Sequence, residues 1–320
     1  MWRSALIALA LVLTTGPVRA QEQMGDPDFR PVVAHPAYAG QGPEVVLDEA
    51  HGSVQTADGR YAPFVALMQA DGYRVRSGHR RFDAGGLDGV QLLVISNAAS
   101  PVEDAEPVSA FTPIEIAVLE AWVRGGGSLL LAADHAPHGT AAEALATAFG
   151  VQMGKGYAFR LVEGRVTTQL TYSGVTLGDH PILQGRSAGE RVRDVTAFTG
   201  QSLIGPPGST TLLRMEAGDR EAVDRDTLVR LRARLDDGEP EAAVLSELSV
   251  PVGGRAQGLA FTYGAGRVVV LGEAGMLTAQ MIRFPEESGR PPLRFGMSVP
   301  GNQDQQFALN ILHWLSGALD

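Results

Sequence analysis

The stretch Gly125-Gly-Gly-Ser-Leu-Leu-Leu-Ala-Ala-Asp-His135 contains the end of a helix, a short apolar strand and a polar turn. Glycines favour the end of a helix because they adopt left-handed backbone conformations at little cost. Residues 128–133 are apolar enough for a strand that is covered on both faces, as parallel strands are. Asp134 and His135 follow directly at its carboxyl end. The stretch therefore predicts an α/β fold with polar residues placed where a parallel strand ends.

The sequence before this stretch alternates between strands and helices. Thr112-Pro-Ile-Glu115 is a capping box with proline at the first helical position, and it predicts a helix that ends at the glycine triplet. Strands are predicted at 44–48, 73–76 and 90–96, and a helix at 61–70. Parallel strands joined by crossover helices predict an open, mostly parallel sheet in a three-layer arrangement.

The sequence after this stretch is less regular. Thr140-Ala-Ala-Glu143 predicts the start of another helix. Over about 151–258 short strands dominate, so we predict a β-rich insertion, in which 224–234 is either a solvated helix or a surface loop. The segment 266–272 predicts a strand that returns to the sheet, and 302–316 predicts a closing helix.

Residues 1–20 have the pattern of a secretory signal peptide, with a basic start, an apolar run over 5–13 and small residues up to Ala20. The run is shorter than the roughly 20 residues that cross a bilayer, so we expect no integral membrane segment after cleavage. An uncleaved anchor is the alternative. We predict an exported protein, periplasmic or extracellular, with an irregular leader at 21–43 and a single domain at 44–320.

Composition disfavours several classes of function. The formal net charge is −10, and loss of Arg3 and Arg19 with the signal peptide makes it −12, which disfavours nucleic acid as a partner. The chain has no cysteine, so it has neither disulfides nor a thiol nucleophile. The glycines at 125–127 lead into a strand, the reverse of a phosphate-binding loop, so no nucleotide cofactor is expected.

Polar residues follow four of the predicted strands, and ligands of open α/β sheets bind beyond the carboxyl ends of strands. We therefore expect these residues to converge on one edge of the sheet. Imidazoles and carboxylates from several loops suit a divalent ion such as zinc. The candidate metal ligands are His51, Asp134, His135, His138 and Glu273.

A bound metal would acidify a water molecule, and Glu49 or Asp48 is the candidate general base. This hypothesis is a metal-dependent hydrolase that acts on an unknown extracytoplasmic small molecule or polymer. The alternative is that the same residues satisfy backbone donors in the turns of a non-catalytic ligand-binding or assembly domain. The single lysine, Lys155 in Gly154-Lys-Gly156, suits either an anionic ligand or a surface loop.

Four segments carry a resemblance to known proteins: 46–52, 125–135, 264–273 and 306–315. Together they resemble uncharacterised exported proteins with a class I glutamine amidotransferase-like domain, related to gliding-motility, transport-associated and trehalose-utilisation-like domains. The resemblance implies a flavodoxin-like, three-layer fold. It does not imply amidotransferase activity, because that chemistry needs a cysteine nucleophile and the corresponding strand here ends in Asp134-His135.

Overall fold

The computed structural model describes residues 22–102, 108–289 and 291–320, so the predicted signal peptide lies outside the described residues. The helices are α1 Ala62–Ala70, α2 Pro113–Arg124, α3 His138–Ala148, α4 Pro181–Gln184, α5 Arg225–Asp236, α6 Glu241–Leu248 and α7 Asp304–Leu315. The strands are β1 Glu22–Gly25, β2 Glu44–Asp48, β3 Arg74–Gly78, β4 Leu92–Ser96, β5 Ser128–Ala132, β6 Gln152–Met153, β7 Tyr157–Val162, β8 Arg165–Thr167, β9 Gln169–Ser173, β10 Asp194–Phe198, β11 Leu203–Ile204, β12 Thr210–Arg214, β13 Arg220–Ala222, β14 Val250–Pro251, β15 Ala256–Tyr263, β16 Gly266–Leu271, β17 Ala279–Arg283 and β18 Leu293–Gly296.

The main sheet is mixed, with the strand order β3-β2-β4-β5-β16-β15-β11-β6, and β12 also pairs with β15. The strands from β3 to β16 in this order are parallel. The remaining pairs, from β16 to β6, are antiparallel. The predicted α/β class is confirmed, and the predicted parallel strands form one half of the sheet.

Side chains alternate between the two faces of the sheet, as the pleat of a strand requires. In β5, Leu130 joins the core on one face, where α1 and α7 pack. Its neighbours Leu129 and Leu131 join the core on the other face, where α2 and α3 pack. Because both faces are covered by helices, the parallel part of the molecule has the predicted three layers.

The start of α2 confirms the predicted capping box. Thr112 Oγ1 accepts a hydrogen bond from the backbone N of Glu115 at 3.2 Å, and Glu115 Oε2 accepts one from the backbone N of Thr112 at 3.0 Å. The start of α3 differs from the prediction, because the helix begins at His138 without a side-chain cap. Glu143 does not cap Thr140, because its carboxylate pairs with Lys155 Nζ at 2.6 Å.

The predicted β-rich insertion is more mixed than expected. It contains short strands but also α5 and α6, so the segment predicted as either helix or loop is helical over 225–236. These helices cover a small separate core, and Leu228, Leu231 and Val244 are buried in it. Part of the insertion, namely β6, β11, β12 and the start of β15, extends the main sheet.

The predicted irregular leader contains one regular element. Residues 22–25 form β1, which pairs antiparallel with β17. The sequence of this strand carries little β-forming tendency, so the pairing comes from the partner strand more than from local preference.

Candidate functional site

The carboxyl ends of the parallel strands meet at one edge of the sheet, as expected. A cavity of about 200 Å³ opens there, and we call it the rim cavity. Its wall includes the polar and charged residues Gln55, Arg60, Asp134, His135 and Glu273. Three of the five candidate metal ligands thus share one cavity.

Asp134 joins the ends of three strands. Its Oδ2 accepts a hydrogen bond from Asn97 Nδ2 at 2.6 Å, and its Oδ1 accepts one from the backbone N of Ala274 at 2.8 Å. Its own backbone N donates to Asn97 Oδ1 at 2.8 Å. Asp134 therefore fixes the loop after β5 against the loops after β4 and β16.

Glu273 is almost fully buried beside Asp134. Its Oε1 accepts a hydrogen bond from the backbone N of Gly275 at 2.6 Å, and its Oε2 accepts one from the backbone N of Met276 at 2.7 Å. Burial and the charge of Asp134 raise the pKa of Glu273 well above its ordinary value, despite these two donors. The two carboxyl groups therefore differ in environment, and it is burial that favours the protonated form of Glu273.

Burial favours the neutral form of His135, and one hydrogen bond selects its tautomer. Burial lowers its pKa, and the hydrogen bond from Nδ1 to the carbonyl of Ala136 at 2.9 Å does not offset this effect. The ring stacks on Tyr157 with 3.6 Å between the ring centroids. Because Nδ1 donates its proton to a carbonyl, Nε2 carries the lone pair, and it accepts no hydrogen bond from a described residue.

Gln55 and Arg60 are functional candidates that the sequence did not indicate. Gln55 is 3% exposed, and its Oε1 has no hydrogen-bond partner in the described part of the chain. Arg60 is half-buried and forms no ion pair or hydrogen bond with a described residue. Both lie in the irregular segment between β2 and α1, where neither a periodic pattern nor a motif marks them.

His51 lies outside the rim cavity, in a buried cluster of charged side chains. Its Nδ1 contacts Asp48 Oδ2 at 2.8 Å, and its Nε2 contacts Glu115 Oε1 at 3.0 Å. Its ring lies between Phe82 and Phe111, at centroid distances of 4.6 and 4.5 Å. Both ring nitrogens are therefore occupied, so His51 has no lone pair left to bind a metal.

The contacts within this cluster explain the pKa values of His51 and Glu115. Burial alone would lower the pKa of His51, but hydrogen bonds and charges of Asp48 and Glu115 outweigh burial and raise it. Burial would raise the pKa of Glu115, but Arg81, Thr112 and His51 together lower it to about 2. The cluster therefore favours the protonated form of His51, which lies between Asp48 and Glu115.

The remaining candidates also lie away from the rim cavity. Glu49 Oε1 accepts hydrogen bonds from the backbone N of Ala57 at 2.9 Å and from Ser77 Oγ at 2.7 Å. His138 is the first residue of α3, and its Nδ1 lies 3.4 Å from the carbonyl of Ala98. The structure thus does not bring either predicted general base, Asp48 or Glu49, to the cavity that contains Asp134.

No three His, Cys, Asp or Glu side chains among the described residues are grouped so that they could hold a metal ion. The physical reason is that the candidate ligands lie in different places and that most of their oxygen and nitrogen atoms already have partners. Both carboxylates of the rim cavity accept backbone or amide hydrogens, and His51 is held by two acids. The zinc site predicted from the sequence therefore finds no support in the donor geometry.

Comparisons with known proteins agree with the fold and add no activity. No known family model matches the chain, and no curated protein matches its sequence. Among solved structures, the chain is similar to the N-terminal domain of mmIFT52, with a TM-score of 0.56 and 13% identity over 85% of this chain and 97% of that one. This likeness shows the fold alone.

Two further solved structures are of the kinds that the sequence resemblance named. One is a ThuA-like protein from Bacteroides uniformis, with a TM-score of 0.43 and 11% identity over 91% of this chain and 95% of that one. The other is a GMP synthase protein from Thermoplasma acidophilum, with a TM-score of 0.41 and 10% identity over 87% of this chain and 95% of that one. At these TM-scores no functional argument rests on either.

The fold and the rim cavity together define an α/β domain with a small polar cavity at the ends of its parallel strands. In the part of the chain that the structure describes, no helix has both the length and the apolar character needed to cross a membrane.

Proposed function

We propose that this chain is an α/β domain that binds a small polar molecule in the rim cavity. The observation that carries the proposal is Gln55 Oε1, a buried acceptor in the cavity wall without a donor among the described residues. Leaving such a group unpaired costs about 1–3 kcal/mol. A ligand that donates a hydrogen bond to this oxygen would remove that cost.

The size and charge of the cavity indicate the kind of molecule. A volume of about 200 Å³ equals that of roughly six or seven water molecules, which suits a small ligand. Arg60 offers donors, whereas Asp134 and the free Nε2 of His135 offer acceptors. Burial of Glu273 favours its protonated form and limits the negative charge. These features support a neutral or zwitterionic ligand with both donors and acceptors.

The metal-dependent hydrolase suggested by the sequence has weaker support. Three of its predicted ligands line the rim cavity, but His51 is held by Asp48 and Glu115 and His138 lies at the start of α3. The predicted general bases Asp48 and Glu49 are engaged outside the rim cavity. Amidotransferase chemistry is not proposed, because the chain contains no cysteine. The same preparation tests both functions, because a hydrolase of this type contains about one metal ion per chain and the binding domain contains none.

The binding proposal is tested with Gln55→Leu. The purified protein is incubated with a small-molecule extract of the producing cells and analysed by native mass spectrometry, with metal content measured in parallel. We expect the wild type to carry a non-covalent adduct that Gln55→Leu lacks. Because leucine removes an unpaired acceptor, the ligand-free variant should be at least as stable as the ligand-free wild type, by up to about 1 kcal/mol.

The matched control is Gln69→Leu, at an exposed position of α1, which should keep the adduct. Absence of any adduct on the wild type, together with a large loss of stability in Gln55→Leu, would show that Gln55 is only a packing residue. About one zinc, manganese or iron per chain that disappears in His135→Ala would instead support the hydrolase.

We further propose that the protein is exported and that it is periplasmic or extracellular. The support is the pattern of residues 1–20, a basic start and a short apolar run followed by small residues up to Ala20. Amino-terminal sequencing of the protein from the extracytoplasmic fraction should give a chain that starts at Gln21. Recovery of the intact chain in the membrane fraction would indicate the uncleaved anchor.

A further inference from the structure

A second and larger cavity, of about 600 Å³, lies where the α/β core meets the insertion. We call it the seam cavity. The core contributes Ala136 and Thr140, and the insertion contributes the loop 154–156 and residues of β13, α5, α6 and β14. Its volume is in the range of about 300–1,000 Å³ that is typical of ligand pockets, and such pockets favour boundaries between structural units.

The loop of Gly154, Lys155 and Gly156 is built to a fixed shape at the wall of this cavity. Lys155 has a φ of 63°, a left-handed conformation that costs a non-glycine residue of the order of 1 kcal/mol. A Cβ at Gly154 or Gly156 would come within 2.5 or 2.8 Å of Glu221. The backbone N of Lys155 donates to Gln201 Oε1 at 2.7 Å, which holds the strained conformation in place.

Most charges around the seam cavity are already matched. Lys155 Nζ pairs with Glu143 Oε1 at 2.6 Å, and Glu247 Oε2 pairs with Arg234 at 2.8 Å. Glu221 is buried, and its carboxyl group accepts a hydrogen bond from the backbone N of Ser202. Burial raises the pKa of Glu221, which favours its uncharged form.

Arg230 is the exception among the described charged residues of the cavity wall. Its guanidinium forms one hydrogen bond, to Thr227 Oγ1 one turn earlier in α5 at 3.1 Å, and has no carboxylate partner. Arg234, on the same helix, is held by both Glu239 and Glu247. Asp224, at the start of the same helix, acts on Arg230 through its charge but does not contact it. The seam cavity therefore presents one guanidinium that no described carboxylate contacts.

Apolar side chains lie in the same wall. Val223 is 72% exposed and Val250 is 55% exposed, and Leu248 at the end of α6 lines the cavity with them. Exposed branched side chains next to a free guanidinium form an amphipathic surface, with one site for an anion and an adjoining area for an apolar body.

We propose that the seam cavity binds an organic carboxylate with an apolar body, at a site separate from the rim cavity. The carboxylate pairs with Arg230, whose planar guanidinium matches it with two parallel hydrogen bonds. The apolar body packs against Val223, Leu248 and Val250. Since one cation is free, the site is matched to a monoanion and not to a phosphate dianion.

The test uses 4-phenylbutyrate and hexanoate as probes, with their neutral amides as matched ligands, by isothermal titration calorimetry on the purified protein. We expect saturable binding of one carboxylate per chain and about tenfold weaker binding of the corresponding amide, because the amide lacks the charge-assisted bond to Arg230. Arg230→Gln should weaken carboxylate binding about tenfold and leave amide binding unchanged.

Two further variants distinguish specific binding in the seam cavity from a general effect of the charge of the protein. Arg232→Gln removes an exposed arginine from the same helix and should leave the affinity unchanged. Ser246→Tyr places a large side chain at an exposed position of the cavity wall and should abolish binding of both ligand types. Failure of both carboxylates to bind, equal binding of acid and amide, or equal effects of Arg230→Gln and Arg232→Gln would each overturn the proposal.

Discussion

At the scale of single residues, His51 shows how a sequence pattern and a structure can assign different roles. Both Asp48 and His51 lie at the end of a predicted strand, where the sequence suggests a general base and a metal ligand. Its second partner, Glu115, is far along the chain, and the sequence indicates it only as a capping residue. The structure shows that Glu115 performs both tasks, because Oε2 caps α2 and Oε1 contacts His51.

We predict that His51→Gln destabilises the fold by about 3 kcal/mol. The substitution leaves Asp48 and Glu115 buried near each other without the cation between them, and breaking a buried ion pair typically costs about 3–5 kcal/mol. Urea unfolding of both proteins measures the loss. His79→Gln is the matched control, since the His79 side chain is 72% exposed. Equal stability of the wild type and His51→Gln would show that the imidazolium is not required.

The loss of stability caused by His51→Gln should depend on pH, and the pKa shifts of His51 and Glu115 give the direction. The raised pKa of His51 means that its contribution is complete below pH 6.5, the ordinary value, and is lost as the pH rises through the raised value. The pKa of Glu115, about 2, means that its contribution is present above pH 4.5 and is lost as the pH falls through about 2. The difference in stability between the wild type and His51→Gln should therefore narrow at alkaline pH, and a difference that grows as the pH rises above 6.5 would contradict the assignment.

At the scale of elements, a capping-box pattern predicted the start of a helix correctly only where its side chains had no other binding partner. Thr112 and Glu115 satisfy each other, as the sequence indicates. The pair Thr140 and Glu143 has the same spacing, but Glu143 binds Lys155, so α3 begins two residues earlier. A capping box is a local pattern, and a distant partner such as Lys155 can remove one of its members.

This contrast gives a prediction about two chemically identical substitutions. Thr112→Ala should destabilise the protein by about 1 kcal/mol, because it removes the acceptor for the backbone N of Glu115. Thr140→Ala should change stability by less than about 0.5 kcal/mol, because Thr140 caps nothing and alanine favours a helix interior. Chemical denaturation of both variants measures the two values. A larger loss for Thr140→Ala would mean that the sequence pattern, and not the structure, gives the correct start of α3.

At the scale of the whole molecule, the parallel half of the sheet was predictable and the antiparallel half was not. The central parallel strands β4 and β5 are apolar runs, a capping box marks the helix α2 between them, and the shared edge of the parallel strands follows from their direction. The strands of the insertion are short, and their partners are distant: Leu203 of β11 pairs with both Met153 and Ala256. Pairings of that kind depend on long-range packing. The same limit applies to the rim cavity, since Gln55 and Arg60 reach it from a segment without local signals.

Because the sheet and the insertion have separate hydrophobic cores, we predict two kinds of unfolding event. Leu130 belongs to a core shared by strands and helices along the sheet, whereas Leu231 belongs to the small core of the insertion. We predict that Leu130→Ala lowers protection from hydrogen exchange throughout the sheet, because loss of a buried leucine costs about 2–5 kcal/mol of global stability. Leu231→Ala should speed hydrogen exchange in α5 and α6 and leave β5 protected, because the insertion opens as a separate unit.

Hydrogen exchange measured by mass spectrometry on peptides from 128–132 and 225–248 distinguishes the two unfolding events. Equal deprotection of β5 by both variants would show that the insertion and the sheet unfold as one unit, and the seam cavity would then lie within a single cooperative body.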